Sequence, residues 1–261
     1  MYAFEMERPE TLADAVAALK DEEAQALGGG QTLIPTMKQR LAQPGRLISL
    51  AGIAEMKGID SDDDGRLCIG GGTTHGAIAA QSDYPALAAL ASRIGDPAVR
   101  NRGTIGGSVA NNDPSACYPA ACLASNATIV TNAREIAADD FFLGMFTTAL
   151  EEGEIVTEVR FPVPEAANYQ KFAQPASRFP LVGVFVAKFS DGVRVAVTGA
   201  SEGGVFRWSE AETALSDNFS AAALDDLNVS ADGMISDLHG SGAYRAHLIK
   251  VMTGRAVTAA G

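Results

Sequence analysis

Gly95-Asp-Pro-Ala-Val-Arg-Asn-Arg-Gly-Thr-Ile-Gly-Gly-Ser-Val-Ala-Asn-Asn-Asp-Pro114 is the stretch on which the reading of this chain turns. Its centre places Gly103, Gly106 and Gly107 among the hydroxyls of Thr104 and Ser108. Glycine allows sharp bends and close approach of the backbone to a ligand. Two more clusters, Gly28–Gly30 and Gly70–Gly72, follow the short strand candidates Ala24–Leu27 and Leu67–Ile69. One such cluster alone reads as a turn. Two of the three also carry polar side chains: Gln31 and Thr32 in one, Thr104, Ser108, Asn111 and Asn112 in the other. Bare N–H groups in such loops form an anion nest, and a helix start beyond the loop adds its dipole. Clusters of this kind suit a diphosphate.

The standard phosphate motifs do not fit. A P-loop needs Lys-Ser or Lys-Thr after its last glycine, and the chain has neither pair. In the GxGxxG fingerprint a third glycine follows at the sixth position. Here Leu33 follows Gly28 and Gly30, and His75 follows Gly70 and Gly72. A dinucleotide would need a different fold.

Outward from the loops, Thr11-Leu-Ala-Asp14 opens a helix with Leu12, Val16 and Leu19 at helical spacing. Thr32 is placed to cap a helix over Leu33–Leu41, ended by Pro44-Gly45, and Arg46–Leu50 is a strand candidate. Asp60–Gly65 reads as a turn. Helices are expected at Ala77–Ala80, Ala86–Ile94 and Tyr118–Ala124, and a strand at Ala127–Thr131. Beyond residue 160 the pattern becomes β-rich. Leu181–Phe189 and Val193–Thr198 are joined by Asp191-Gly192, a hairpin signal. Gly242–Val257 reads as a closing helix.

At 261 residues the chain has room for one large or two modest domains, at roughly 100–200 residues each. The net charge of −12 argues against a nucleic-acid partner. No apolar run is long enough to span a bilayer. Cys68, Cys117 and Cys122 are too few for a disulfide framework, which points to a reducing cytoplasm. They are also too few for the usual four-cysteine iron–sulfur site. His75, His239 and His247 are scattered, so no metal is expected.

Leu27-Gly-Gly-Gly-Gln-Thr-Leu-Ile34 and Val99-Arg-Asn-Arg-Gly-Thr-Ile-Gly-Gly-Ser-Val-Ala110 together resemble the two FAD loops of the molybdenum hydroxylase flavoproteins. That family includes carbon monoxide dehydrogenase medium subunits and xanthine dehydrogenase FAD domains. The resemblance extends to Ile69-Gly-Gly-Gly72 and to His239-Gly-Ser-Gly-Ala-Tyr-Arg-Ala-His247. It implies an α+β chain. Residues 1–160 would be a two-subdomain FAD-binding domain of the vanillyl-alcohol-oxidase (PCMH) type, split near residue 55. Residues 161–261 would be the smaller C-terminal flavoprotein domain.

The same resemblance implies FAD contacts at Leu27, Gly28, Gly29, Gly30, Gln31, Thr32, Leu33 and Ile34, and at Thr104, Ile105, Gly106, Gly107 and Ser108. Ile94 would lie near the cofactor, and Asn112 and Asp113 would reach the ribityl chain. Val156 matches a position on the adenine side, although core packing explains it equally well. Phe179 matches a position beside the isoalloxazine. Relatives commonly read Asp-Pro-x-x-Asp after the second loop; here Cys117 stands in the last place, which weakens the carry-over of that contact. His75 reads as structural.

The implied function is electron transfer without a catalytic residue of the chain's own. FAD would take electrons from an iron–sulfur small subunit beside a molybdopterin large subunit, in a doubled heterotrimer, and pass them to an external acceptor. The alternatives are a self-sufficient FAD-dependent oxidase or reductase and a non-catalytic nucleotide-binding module.

Overall fold

The computed structural model describes residues 1–261. Three larger sheets follow one another along the chain, and a two-stranded hairpin of Phe142–Gly144 and Thr147–Thr148 makes a fourth. The first is parallel, with Arg46–Ser49 between Glu5–Glu7 and Ala24–Leu27. Helix Leu12–Ala18 begins at Thr11, whose Oγ1 accepts the Asp14 N–H, and bridges the outer strand to Ala24–Leu27. The central strand is buried on both faces, as parallel strands are. Ile48 packs with Ala15, Leu19 and Ile53, while Leu47 packs with Leu27 and Met37.

The second sheet is antiparallel, in the order Ile59–Ser61, Leu67–Gly70, Val156–Phe161, Thr128–Thr131, Glu135–Ala137. Its central strand comes last in sequence, so residues 67–161 close into one unit. Helices Pro85–Ser92, Ile105–Asn111 and Tyr118–Ala124 contribute to its core. All seven residues of Tyr118–Ala124 are buried, which explains its small side chains.

The third sheet, Ala166–Ala173, Pro180–Phe189, Gly192–Thr198 and Phe206–Arg207, is also antiparallel. Such sheets usually keep one wet face. Here Phe185 and Ala187 join the core of the middle unit, with Tyr84 edge-on to Phe185 at 6.1 Å. Val182, Val184 and Val186 point the other way, into a core shared with helices Ser209–Asp217 and Gly242–Ala260. Double coverage accounts for the unbroken apolar run Leu181–Ala187. Gly192 turns the hairpin with φ +142°.

Several elements differ from the sequence reading. Thr32 makes no side-chain cap, and its helix is Leu33–Lys38, not Leu33–Leu41. Arg40 takes a left-handed φ of +62°, which stops the helix and leaves Leu41 exposed. The expected turn at Asp60–Gly65 begins two residues later, because Ile59–Ser61 pairs as a strand. Asp62 then organises the turn by accepting the N–H groups of Asp64 and Arg66. Helix Ser209–Asp217 was not anticipated, since only Ala211 and Leu215 give it a buried stripe.

Candidate functional site

The glycine clusters meet in space. A Cβ on Gly29 would stand 1.9 Å from the carbonyl oxygen of Arg102, and one on Gly28 would stand 3.0 Å from Thr104 Oγ1. Gly28 and Gly29 therefore let the first loop lie directly on the second. Gly30 supplies the bend, with φ +73°. The third cluster lies behind them. Gly106 donates its N–H to Gly71 O at 2.9 Å, Ile105 donates to Thr73 O, and His75 donates to Gly103 O.

This stacking divides the work between the loops. The N–H groups of Gly28, Gly29, Gly30, Gln31 and Thr32 donate to no protein acceptor, so the first loop is an open anion nest. In the second loop Ile105 and Gly106 have spent their N–H groups on the third cluster, and Gly107 N–H turns back to Thr104 Oγ1 at 3.3 Å. The Thr104 N–H stays free. The expectation that both loops present backbone donors is thus corrected for Ile105 and Gly106. Gly106 is glycine because a Cβ would meet Gly71 O at 2.7 Å. Gly107 is exposed and faces no such wall.

Phe4, Met6, Leu27, Gly28, Gly29, Gly30, Gln31, Ile34, Leu47, Ser49, Ala51 and Arg102 line a cleft of about 320 Å³ at this junction. Arg102 is exposed there and makes no ion pair or hydrogen bond through its side chain. The sequence reading missed it, although it sits inside the quoted motif. A second hollow, about 410 Å³, lies between Ala3, Glu22–Gln25 and Gln43–Gly45. Its two carboxylates, Glu22 and Glu23, would repel a diphosphate.

The other expected residues are spread around the loops. Ser108 and Leu33 are half-buried beside them. Asn112 ends helix Ile105–Asn111 in left-handed backbone, φ +41°. Its Nδ2 is committed to Gly144 O at 2.8 Å and Thr147 O at 2.9 Å, so that amide anchors a hairpin and only Oδ1 is left for a ligand. Asp113 Oδ1 accepts the Ser115 N–H. Ile94 O and Gly95 O both accept from Arg100, and Arg178 also reaches Gly95 O. Arg178 thereby ties the turn that carries exposed Phe179 to the Ile94 segment. Val156 is 3 % exposed and lies in the middle core. Cys117 is buried with its sulfur 3.6 Å from Lys171 Nζ, a partner 54 residues away that the sequence reading did not name.

His75 supports the second loop from below. Its Nδ1 meets Tyr118 Oη at 3.2 Å, and a Cβ on Gly103 would stand 2.6 Å from its Nε2. Burial, with the Arg100 guanidinium adding, lowers its pKa to about 4, so the ring is neutral near pH 7.

Comparison with known proteins extends the picture. The family model described as the FAD binding domain in molybdopterin dehydrogenase matches residues 2–164. The nicotine 6-hydroxylase medium subunit of Paenarthrobacter nicotinovorans is 34% identical, over 97% of this chain and 95% of its own length. The carbon monoxide dehydrogenase medium chain of Hydrogenophaga pseudoflava is 32% identical, over 98% and 96%. Among solved structures, reconstituted CO dehydrogenase from Oligotropha carboxidovorans superposes with a TM-score of 0.91 at 31% identity, covering 99% of this chain and 98% of that one. The free N–H nest, the unpaired Arg102 and the glycines that keep the cleft open fit a dinucleotide with a diphosphate. FAD is the cofactor, and the chain is a component of an oxidoreductase. It belongs to the FAD-binding family of the molybdopterin dehydrogenases.

Proposed function

We propose that this chain is the FAD-carrying electron-transfer subunit of a molybdenum hydroxylase or dehydrogenase. The carrying observation is the open nest of five free N–H groups, in a chain that matches medium subunits over nearly their whole length. Residues 1–160 form the FAD-binding unit in this reading, and 161–261 the C-terminal flavoprotein domain. The N–H groups of Gly28 to Thr32 hold the diphosphate, with Thr104 N–H and the Arg102 guanidinium on the opposite wall. Leu27 and Ile34 supply apolar lining to the same cleft. Ile94 and Phe179 flank the ring end, and Asp113 and Asn112 Oδ1 serve the ribityl chain. Gly107 keeps its position free of a side chain opposite Gly28.

FAD held there would supply redox chemistry between iron–sulfur clusters and an external acceptor. The chain contributes binding, orientation and exclusion of water. The partners are an iron–sulfur small subunit and a molybdopterin large subunit, in a heterotrimer that doubles, working in the cytoplasm. The medium-subunit naming of the relatives supports a multi-subunit assembly. No helix is long and apolar enough to cross a membrane.

Co-purification from the native host tests the assembly. The expected result is a complex containing iron, molybdenum and FAD, with FAD alone on this chain. A chain that elutes by itself and turns over a small organic substrate with only FAD bound would make it a self-sufficient flavoenzyme.

A further inference from the structure

Lys171 and Tyr169 lie on the same face of strand Ala166–Ala173. Both are buried, at 7% and 3% exposure. Lys171 Nζ donates to Arg93 O at 2.9 Å and to Cys117 Sγ at 3.6 Å. It makes no ion pair with a carboxylate. The Tyr169 ring stacks on Phe185 at 6.1 Å, with the Arg93 guanidinium 5.9 Å from its centre. Arg93 is itself spent on the carbonyls of Tyr169 and Lys171. The Tyr169 hydroxyl lies beside Cys117 and has no hydrogen-bond partner. A Cβ on the facing Gly183 would stand 2.5 Å from it, so a glycine is needed to admit that hydroxyl.

Two buried donors thus converge on one sulfur. Burial holds the Tyr169 phenol protonated, which keeps it a donor. A thiol is a weak acceptor, so the pair is poorly used while Cys117 is reduced. An oxygen on that sulfur would satisfy both. Cys122, within the helix that Cys117 immediately precedes, has no comparable donors, and burial keeps its thiol protonated.

We propose that Cys117 is a site of reversible oxidation to sulfenic acid by hydrogen peroxide, the new oxygen being held by Lys171 Nζ and Tyr169 Oη. The sulfur attacks one peroxide oxygen. The S–O bond forms as the O–O bond breaks, sulfur gives up two electrons, and the thiol proton leaves with the departing hydroxide as water. Burial keeps other thiols away from the product, and the two hydrogen bonds slow its further oxidation to sulfinic acid.

The experiment uses the full chain loaded with FAD, treated with hydrogen peroxide and mapped by peptide mass spectrometry. The Cys117 peptide should gain one oxygen, about 16 Da, and lose it again when dithiothreitol is added to the unfolded chain. Oxidised methionine has the same mass gain but survives the thiol, so exposed Met1, Met6 and Met145 report that peroxide was sufficient. Tyr169→Phe removes only an unpartnered hydroxyl and should leave the fold intact. It should cut the thiol-reversible fraction about tenfold in favour of sulfinic acid, and Lys171→Gln should do the same. The proposal is overturned if Cys117 stays a thiol while those methionines oxidise. It is overturned equally if Tyr169→Phe keeps as much reversible product as the wild type.

Discussion

Replacing Gly107 by valine separates the cofactor site from the fold. Gly107 is exposed on helix Ile105–Asn111, and the nearest atom to an added Cβ is Thr104 Oγ1 at 3.1 Å. Its Cα lies 3.9 Å from where a Gly28 Cβ would stand, so a valine would project into the gap between the loops. Displacing the diphosphate from the first loop forfeits at least two of the five free N–H donors. At about 1.5–3 kcal/mol per hydrogen bond to a charged group, two are worth about 3–6 kcal/mol. That is a loss of roughly 10²–10⁴ in FAD affinity. The fold should change by less than about 1 kcal/mol, since valine has a slightly better helix propensity than glycine. FAD titration by flavin fluorescence, with thermal melting of the apo chain, reads both quantities. A variant that keeps its melting temperature and binds FAD within about threefold of wild type refutes the placement of the diphosphate. Gly106→Val is the contrasting control: its side chain would strike Gly71 O and Cα, so folding itself should fail.

Two further outcomes follow from the same geometry. Arg102→Gln should weaken FAD binding about tenfold at low ionic strength, and the gap should close as salt rises, because an exposed charge is screened; equal salt dependence in variant and wild type would remove Arg102 from the site. The pKa of His75 is about 4 in the fold against 6.5 when free, so the unfolded chain binds the proton first as pH falls. Its contribution is complete above pH 6.5 and is lost progressively down to about pH 4. At about 1.4 kcal/mol per pH unit this comes to about 3 kcal/mol. Denaturation series for wild type and His75→Gln should differ by that slope within the window, and parallel profiles would count against a neutral buried histidine.

How much of this the chain reveals before folding depends on the range of each contact. The glycine loops are legible because their chemistry is local: Gly28–Gly30 and Gly103–Gly107 are contiguous and carry their own polar residues. The hairpin at Asp191-Gly192 and the cap at Thr11 are equally local. The division of labour between the loops is not. Nothing near Gly106 in sequence shows that Gly71 takes its N–H, or that Arg102 is left free at the cleft. Asn112 reads as a polar ligand from its neighbours, yet two carbonyls more than 30 residues away hold its amide. Cys117 meets Lys171 only because the third sheet closes over the middle core, and no local pattern encodes that pairing.

Relay of electrons from a partner's clusters to FAD on this chain is read by anaerobic stopped-flow on the native complex. The partner subunits are reduced beforehand with a limiting amount of dithionite and mixed with this chain carrying oxidised FAD. The flavin's visible absorbance should bleach as the clusters' signal recovers, and the isolated chain should show no bleaching with the organic substrate of the complex. Flavin that stays oxidised beside reduced clusters, or that the substrate bleaches in the isolated chain, would rule that relay out.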